Sequence, residues 1–182
     1  MIAVRPAQSR DAAGMGSVHI GVWRSAYAGI LPDSYLAGLS SPRQAAYYQA
    51  GILRGHPALV AEAAGRVIGF ATMSLRRTDQ DRERSLGQAE IETLYVSDDW
   101  RDQGAGRLLM QAAGKTLSDA GAGSAFLWVL SDNPSRWFYQ RLRGRRAADG
   151  FTTVAGTSIP KTAYVWDPID LLLADPTVPR GD

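Results

Sequence analysis

Leu94-Tyr95-Val96-Ser97-Asp98-Asp99-Trp100-Arg101-Asp102-Gln103-Gly104-Ala105-Gly106-Arg107-Leu108-Leu109 is the stretch on which the fold turns. It reads as the end of a strand, a turn, a glycine-bearing loop and the first turn of an amphipathic helix. That order builds an anion site. The first backbone N–H groups of a helix have no partner inside it, and the macrodipole places about half a positive charge there. Gly104 and Gly106 remove Cβ atoms, so a phosphate can approach the main chain. No Gly-Lys-Ser/Thr follows and the Gly-x-Gly-x-x-Gly spacing is absent, so neither a P-loop nor a dinucleotide fingerprint is present.

Upstream of the loop, Ala89 to Val96 alternates as a strand. The two-residue period puts Glu90, Glu92, Leu94 and Val96 on one face, with Ile91, Thr93 and Tyr95 on the other. Downstream, the spacing predicts a helix over Gly104 to Ala120, a buried strand over Ser124 to Leu130 and a short helix over Ser135 to Leu142. Thr152 to Ala155 and Thr162 to Trp166 read as two closing strands. The N-terminal half opens with a strand at Ile2 to Arg5. A helix follows from the Ser9–Asp11 start signal to about Ala28, with Met15, Val18, Val22 and Ala26 as its apolar face. A helix after Pro32 and another from Pro42 to Arg54 precede two strands, Ala58 to Glu62 and Arg66 to Ser74, joined by an Ala64-Gly65 turn. Arg76 to Gln88 is polar and reads as an exposed loop. The stretch from Asp175 to Asp182 reads as a flexible C-terminal tail to one domain over residues 1–174.

The bulk composition fits a single globular domain of 182 residues, 45% of them hydrophobic. The chain has no cysteine, which excludes disulfides, thiolate metal sites and a cysteine nucleophile. No signal peptide pattern follows Met1, and no window reaches the roughly 18 apolar residues of a spanning helix; a soluble cytoplasmic protein with no membrane partner is expected. Eighteen arginines face two lysines, and Arg136, Arg141, Arg143, Arg145 and Arg146 cluster between Ser135 and Gly150. That cluster reads either as a solvated helix end and loop or as phosphate-meeting charge. No nucleic-acid module accompanies it, so no nucleic-acid partner is expected. His19 and His56 belong to no metal or triad pattern, and no metal is expected.

The Arg-x-x-Gly-x-Gly hexad, Arg101 to Gly106, resembles motif A of the GNAT superfamily of N-acetyltransferases. The downstream block from Leu127 to Leu142, with Asn133 and Phe138-Tyr139, looks like that family's later strand and helix, and Trp23 to Leu36 looks like its opening helices. The resemblance spans nearly the whole chain. It implies an α/β fold with a mixed, mostly antiparallel central sheet, helices on both sides, and a splay near the middle. It further implies acetyl-CoA as cosubstrate and a primary amine acceptor, of a small molecule or a protein. Arg101, Asp102, Gln103, Gly104, Ala105, Gly106 and Arg107 would hold the pyrophosphate; the backbone of Leu94, Tyr95 and Val96 would pair with the pantetheine amides; Asn133 would add a contact. Homodimers are common among similar proteins, and the oligomeric state stays open.

Acetyl transfer requires a base for the amine and an acid for the leaving thiolate. On the resemblance, Glu90 or Glu92 supplies the base and Tyr139 the acid. The plainer readings are solvent-facing strand residues for the glutamates, sheet packing for Tyr139 and an Asn-Pro turn for Asn133. Trp23, Tyr27 and Tyr35 read either as core or as acceptor lining. Two departures from the family pattern stand out. Arg143 occupies the place of the usual glycine, with Gly144 after it, and Asn133 precedes Tyr139 by one residue fewer than is commonest. A non-catalytic acyl-CoA sensor is the alternative function.

Overall fold

In the computed structural model, residues 1–75, 86–133 and 135–174 are described. Strand β1 (Ala3–Pro6) leads into helices α1 (Ala12–Ala26), α2 (Asp33–Ala37) and α3 (Ser41–Leu53). Strands β2 (Ala58–Ala63), β3 (Arg66–Leu75) and β4 (Ala89–Val96) follow, then α4 (Ala105–Asp119), β5 (Ala125–Leu130), α5 (Arg136–Arg141), β6 (Arg145–Val154) and β7 (Thr157–Trp166). The seven strands form one sheet in the order β1-β2-β3-β4-β5-β7-β6. Every pairing is antiparallel except β4 with β5, so the sheet is mixed and mostly antiparallel, as expected.

Helices cover both faces. Met15, Val18, Val22 and Ala26, the stripe legible in the sequence, pack α1 with Tyr48 of α3 against Val60 and Phe70. Gly14 and Gly16 make that approach possible: a Cβ at Gly14 would stand 2.8 Å from Val67 Cβ, and one at Gly16 2.6 Å from the Ser41 carbonyl oxygen. On the opposite face α4 buries Ala105, Leu109, Met110, Ala113 and Leu117. Burial of each larger side chain there contributes about 1.5–3 kcal/mol. Arg5 of β1 donates to both Asp11 and Glu62 at 2.7 Å, tying the first strand to its neighbours.

Two local devices set the register. Ala64 and Gly65 both take positive φ, 49° and 73°, which is the two-residue hairpin turn predicted between β2 and β3. In β4 the register jumps, because Thr72 opposes Thr93 while Met73 opposes Ile91, leaving Glu92 as the extra residue of a bulge. The Thr93 hydroxyl accepts from the Thr72 N–H at 3.1 Å there. The bulge overturns the simple alternation expected for this strand. Leu94 and Val96 join Ile91 on the α4 face, while Tyr95 turns to the α1 face against Phe70.

The expected splay is present. β4 and β5 pair only at Ala89↔Ala125 and Glu90↔Phe126, and β5 then stays with β7 along its whole length. From Ile91 onward β4 thus has no ladder partner on its β5 side.

The C-terminal strands are longer than expected. β6 begins at Arg145 rather than Thr152, so Arg145 and Arg146 lie on an edge strand and not in a loop; Arg146 pairs with Asp149 at 2.6 Å. Its three arginine predecessors are dispersed: Arg136 sits over the Trp137 ring, Arg141 faces the cleft, and Arg143 takes φ +65° after α5. The helix end therefore uses Arg143 as its left-handed residue, with the Gly144 N–H donating to the Tyr139 carbonyl at 2.9 Å. Gly144 is demanded by packing instead, since a Cβ there would stand 2.8 Å from Trp166 Cζ2. The polar loop and the tail read from the sequence lie outside the described residues over 76–85 and 175–182.

Candidate active site

Where β4 parts from β5 the sheet opens into a cleft of about 680 Å³. Glu90, Leu94 and Val96 of β4 form one wall, Trp128 and Val129 of β5 the other, and Trp23 of α1 with Tyr27 just after that helix close one side. Gly104, Gly106 and Arg107 stand at its mouth, with Phe138 and Tyr139 of α5 beside them.

The glycine loop has the geometry of an anion cradle. Gly104, at φ +88°, caps α4 from the left-handed region, and its carbonyl accepts from the Leu108 N–H at 3.0 Å. The N–H groups of Ala105 and Gly106 lie in the first turn of α4, before the first residue with an intrahelical acceptor, where a ligand can meet them. An added Cβ at Gly104 would meet nothing within 4 Å, so its glycine answers the backbone angle and leaves open space in front. At Gly106 an added Cβ would stand 3.1 Å from Phe138 Cζ, so that glycine also admits α5. Asp102 shares the left-handed conformation at φ +58°, which no glycine signalled. Side chains brace the loop from outside: Arg101 pairs with Asp98 at 2.7 Å, and Gln103 Nε2 donates to the Asp99 carbonyl at 2.8 Å.

The two glutamates are placed differently. Glu90 lies in the paired part of β4 and lines the cleft. Glu92, pushed off the ladder by the bulge, is exposed and shares a 2.7 Å hydrogen bond with Nε2 of His56, from the loop after α3. The Thr72 hydroxyl lies 3.5 Å from the same oxygen. His56 carries no motif, and sequence reasoning set it aside; only the folding of α3 over the sheet brings it to Glu92, 36 residues away.

Tyr139 is 6% exposed and stacks among Phe138, Tyr164 and Trp166. Among the described residues its hydroxyl has no hydrogen-bond partner, although it belongs to the cleft wall. Burial, then the neighbouring Tyr27 and Tyr95, pushes its pKa well above the ordinary tyrosine range, so the phenol keeps its proton. Asn133 does two things at once. Its side-chain oxygen accepts from the Ser135 N–H at 2.8 Å, as a turn residue would, and its Nδ2 donates to the Tyr27 hydroxyl at 3.5 Å on the cleft wall.

Behind the cleft lies an aromatic layer. Trp23 Nε1 donates to the Tyr95 hydroxyl at 2.9 Å, and His19 packs between Trp23 and Tyr95 while sharing a 2.7 Å hydrogen bond with Tyr48. Burial lowers His19 to a pKa of about 4. Trp23 and Tyr27 reach the cleft, whereas Tyr35 packs behind them in the apolar cluster of Tyr27, Leu31 and Leu36. The trio thus combines core and lining roles.

A helix N-terminus, a strand edge left open by β5, two carboxylates and a phenol thus border one cleft. A sequence profile described as the acetyltransferase (GNAT) family matches residues 24–144. The chain is also similar to YuaI, an uncharacterized N-acetyltransferase of Bacillus subtilis, at 29% identity over 172 residues covering 94% of this chain and 96% of that one. Among solved structures it resembles a GCN5-related N-acetyltransferase from Rhodopseudomonas palustris, with a TM-score of 0.70, 20% identity, and coverage of 91% of this chain and 94% of that one. It likewise resembles yncA from Salmonella typhimurium, a structure described as holding "its cofactor Acetyl-CoA", with a TM-score of 0.68, 21% identity, and coverage of 100% and 99%. The chain belongs to the GNAT acetyltransferase family. It is an acyltransferase.

Proposed function

We propose that this protein transfers the acetyl group of acetyl-CoA directly to a primary amine of a small molecule or peptide, with Glu90 or Glu92 as base and Tyr139 as acid. The observation that carries the reading is the Tyr139 hydroxyl, a buried polar group on the wall of the cleft with no partner among the described residues. Such a group costs stability unless a ligand uses it.

The residues present fit the donor. The first-turn N–H groups of Ala105 and Gly106 and the open space before Gly104 suit the pyrophosphate, with Arg107 adding charge. The open edge of β4 at Leu94 to Val96 suits the pantetheine amides, and Asn133 stands across from it. Acetyl-CoA supplies an activated thioester. The chain supplies position and two proton movements: a carboxylate of β4 takes one proton from the amine as its nitrogen bonds to the acetyl carbon, and the Tyr139 phenol gives one proton to the departing sulfur.

Thiol release from acetyl-CoA against a panel of primary amines tests this reading. Turnover with at least one amine is expected, with kcat reduced about 10²-fold or more in Tyr139→Phe and in whichever of Glu90→Gln and Glu92→Gln removes the base. Tight acetyl-CoA binding without turnover on any amine would instead establish an acyl-CoA sensor.

A further inference from the structure

A second cavity, of about 390 Å³, opens on the α1–α3 face of the sheet. Tyr48, Gly51 and Ile52 of α3, His56 after it, and Thr72 and Ser74 of β3 form its walls. Among the described residues Glu92 alone borders both this cavity and the β4–β5 cleft. The bulge in β4 is what puts it at the junction. The His56 ring holds one carboxylate oxygen at 2.7 Å and thereby fixes the group's orientation.

We propose that this second cavity is the acceptor subsite, taking a compact primary amine whose nitrogen rests on Glu92 and whose carbon body lies against Tyr48 and Ile52. The proposal rests on the acetyltransferase reading and deepens it. A carboxylate at the junction attracts an ammonium group and stands where a proton must leave it. The volume is that of a small-molecule site, and its ring, aliphatic and hydroxyl walls, with the Arg54 guanidinium among them, suit an alkyl or aryl monoamine better than a polycation. His56 is then a positioning residue acting through Glu92.

The chain provides its own reporter, because of its two histidines only His56 lines this cavity, while His19 lies buried behind Tyr48. Imidazole-labelled protein, saturated with coenzyme A, is titrated with butylamine and with benzylamine while the His56 ring signals are followed by NMR. Gly51→Leu fills the cavity: an added Cβ would stand 3.8 Å from His56 Cβ, an ordinary contact, and leucine favours the helix more than glycine. Ser74→Leu fills it from the β3 side as a second variant. At least one amine should shift His56 in the wild type, and both variants should weaken that response tenfold or more. No His56 response to either amine, or a response unchanged in both variants, overturns the proposal. Calorimetry with acetyl-CoA is run in parallel; failure of the wild type to bind it would sink the acetyltransferase reading, a result independent of the amine titration.

Discussion

Tyr139→Phe removes a single oxygen and should move stability and activity in opposite directions. The phenylalanine ring keeps the contacts with Phe138, Tyr164 and Trp166, at centroid distances of 5.3, 5.9 and 6.3 Å. What is lost is a hydroxyl that is buried and has no partner among the described residues. An unpaired buried polar group costs about 1–3 kcal/mol. Taking the low end, because the cleft gives this hydroxyl some access to water, the variant gains about 1 kcal/mol, or roughly 2–4 °C in Tm for a chain of this size. If the phenol protonates the leaving sulfur, kcat falls by about 10²-fold or more. Differential scanning calorimetry and the thiol-release assay read the two quantities on one preparation. A variant with lower Tm and unchanged kcat would mean that the hydroxyl serves the fold, and the acid assignment would be refuted.

Gly144→Ala should destabilise by about 2 kcal/mol through overpacking against Trp166 and the Tyr139 carbonyl, read as a lower urea midpoint at unchanged slope. His19 gives stability a pH dependence of known sign. Its folded pKa of about 4 lies below the ordinary 6.5, so the unfolded chain takes the proton first as pH falls. The contribution is complete above about pH 6.5 and declines toward pH 4, amounting to about 3 kcal/mol, and urea midpoints between those values should show a slope that His19→Gln flattens. Gly104→Ala forces a side chain into the left-handed region at φ +88°, at about 1–2 kcal/mol; calorimetry should find coenzyme A bound about tenfold more weakly.

Much of the fold was legible because local signals and tertiary placement agree. The α1 stripe of Met15, Val18, Val22 and Ala26 became a packed face, the Ala64-Gly65 turn became the β2–β3 hairpin, and Gly104 became the left-handed cap of α4. The misreadings have a common cause. The reach of β6 back to Arg145 depends on pairing with β7, from Val165↔Arg145 onward, and a polar arginine-rich edge strand carries no hydrophobic alternation of its own. Strict period-two counting placed Glu90, Glu92, Leu94 and Val96 on one face, and a bulge that arises only from the mismatch between β3 and β4 reversed part of that order.

By itself the sequence determined the anion-binding strand–loop–helix unit, since a run of residues 94–109 contains the helix N-terminus, the glycine angle and the amphipathic stripe that create it. Tertiary structure alone decided the chemistry around the glutamates. The gap between β4 and β5 exists because β5 leaves for β7. Glu92 meets His56 because α3 crosses the sheet, and both are consequences of pairings between residues far apart in the chain. Long-range contacts of that kind leave no local pattern in residue order, so they become visible only when the elements are packed.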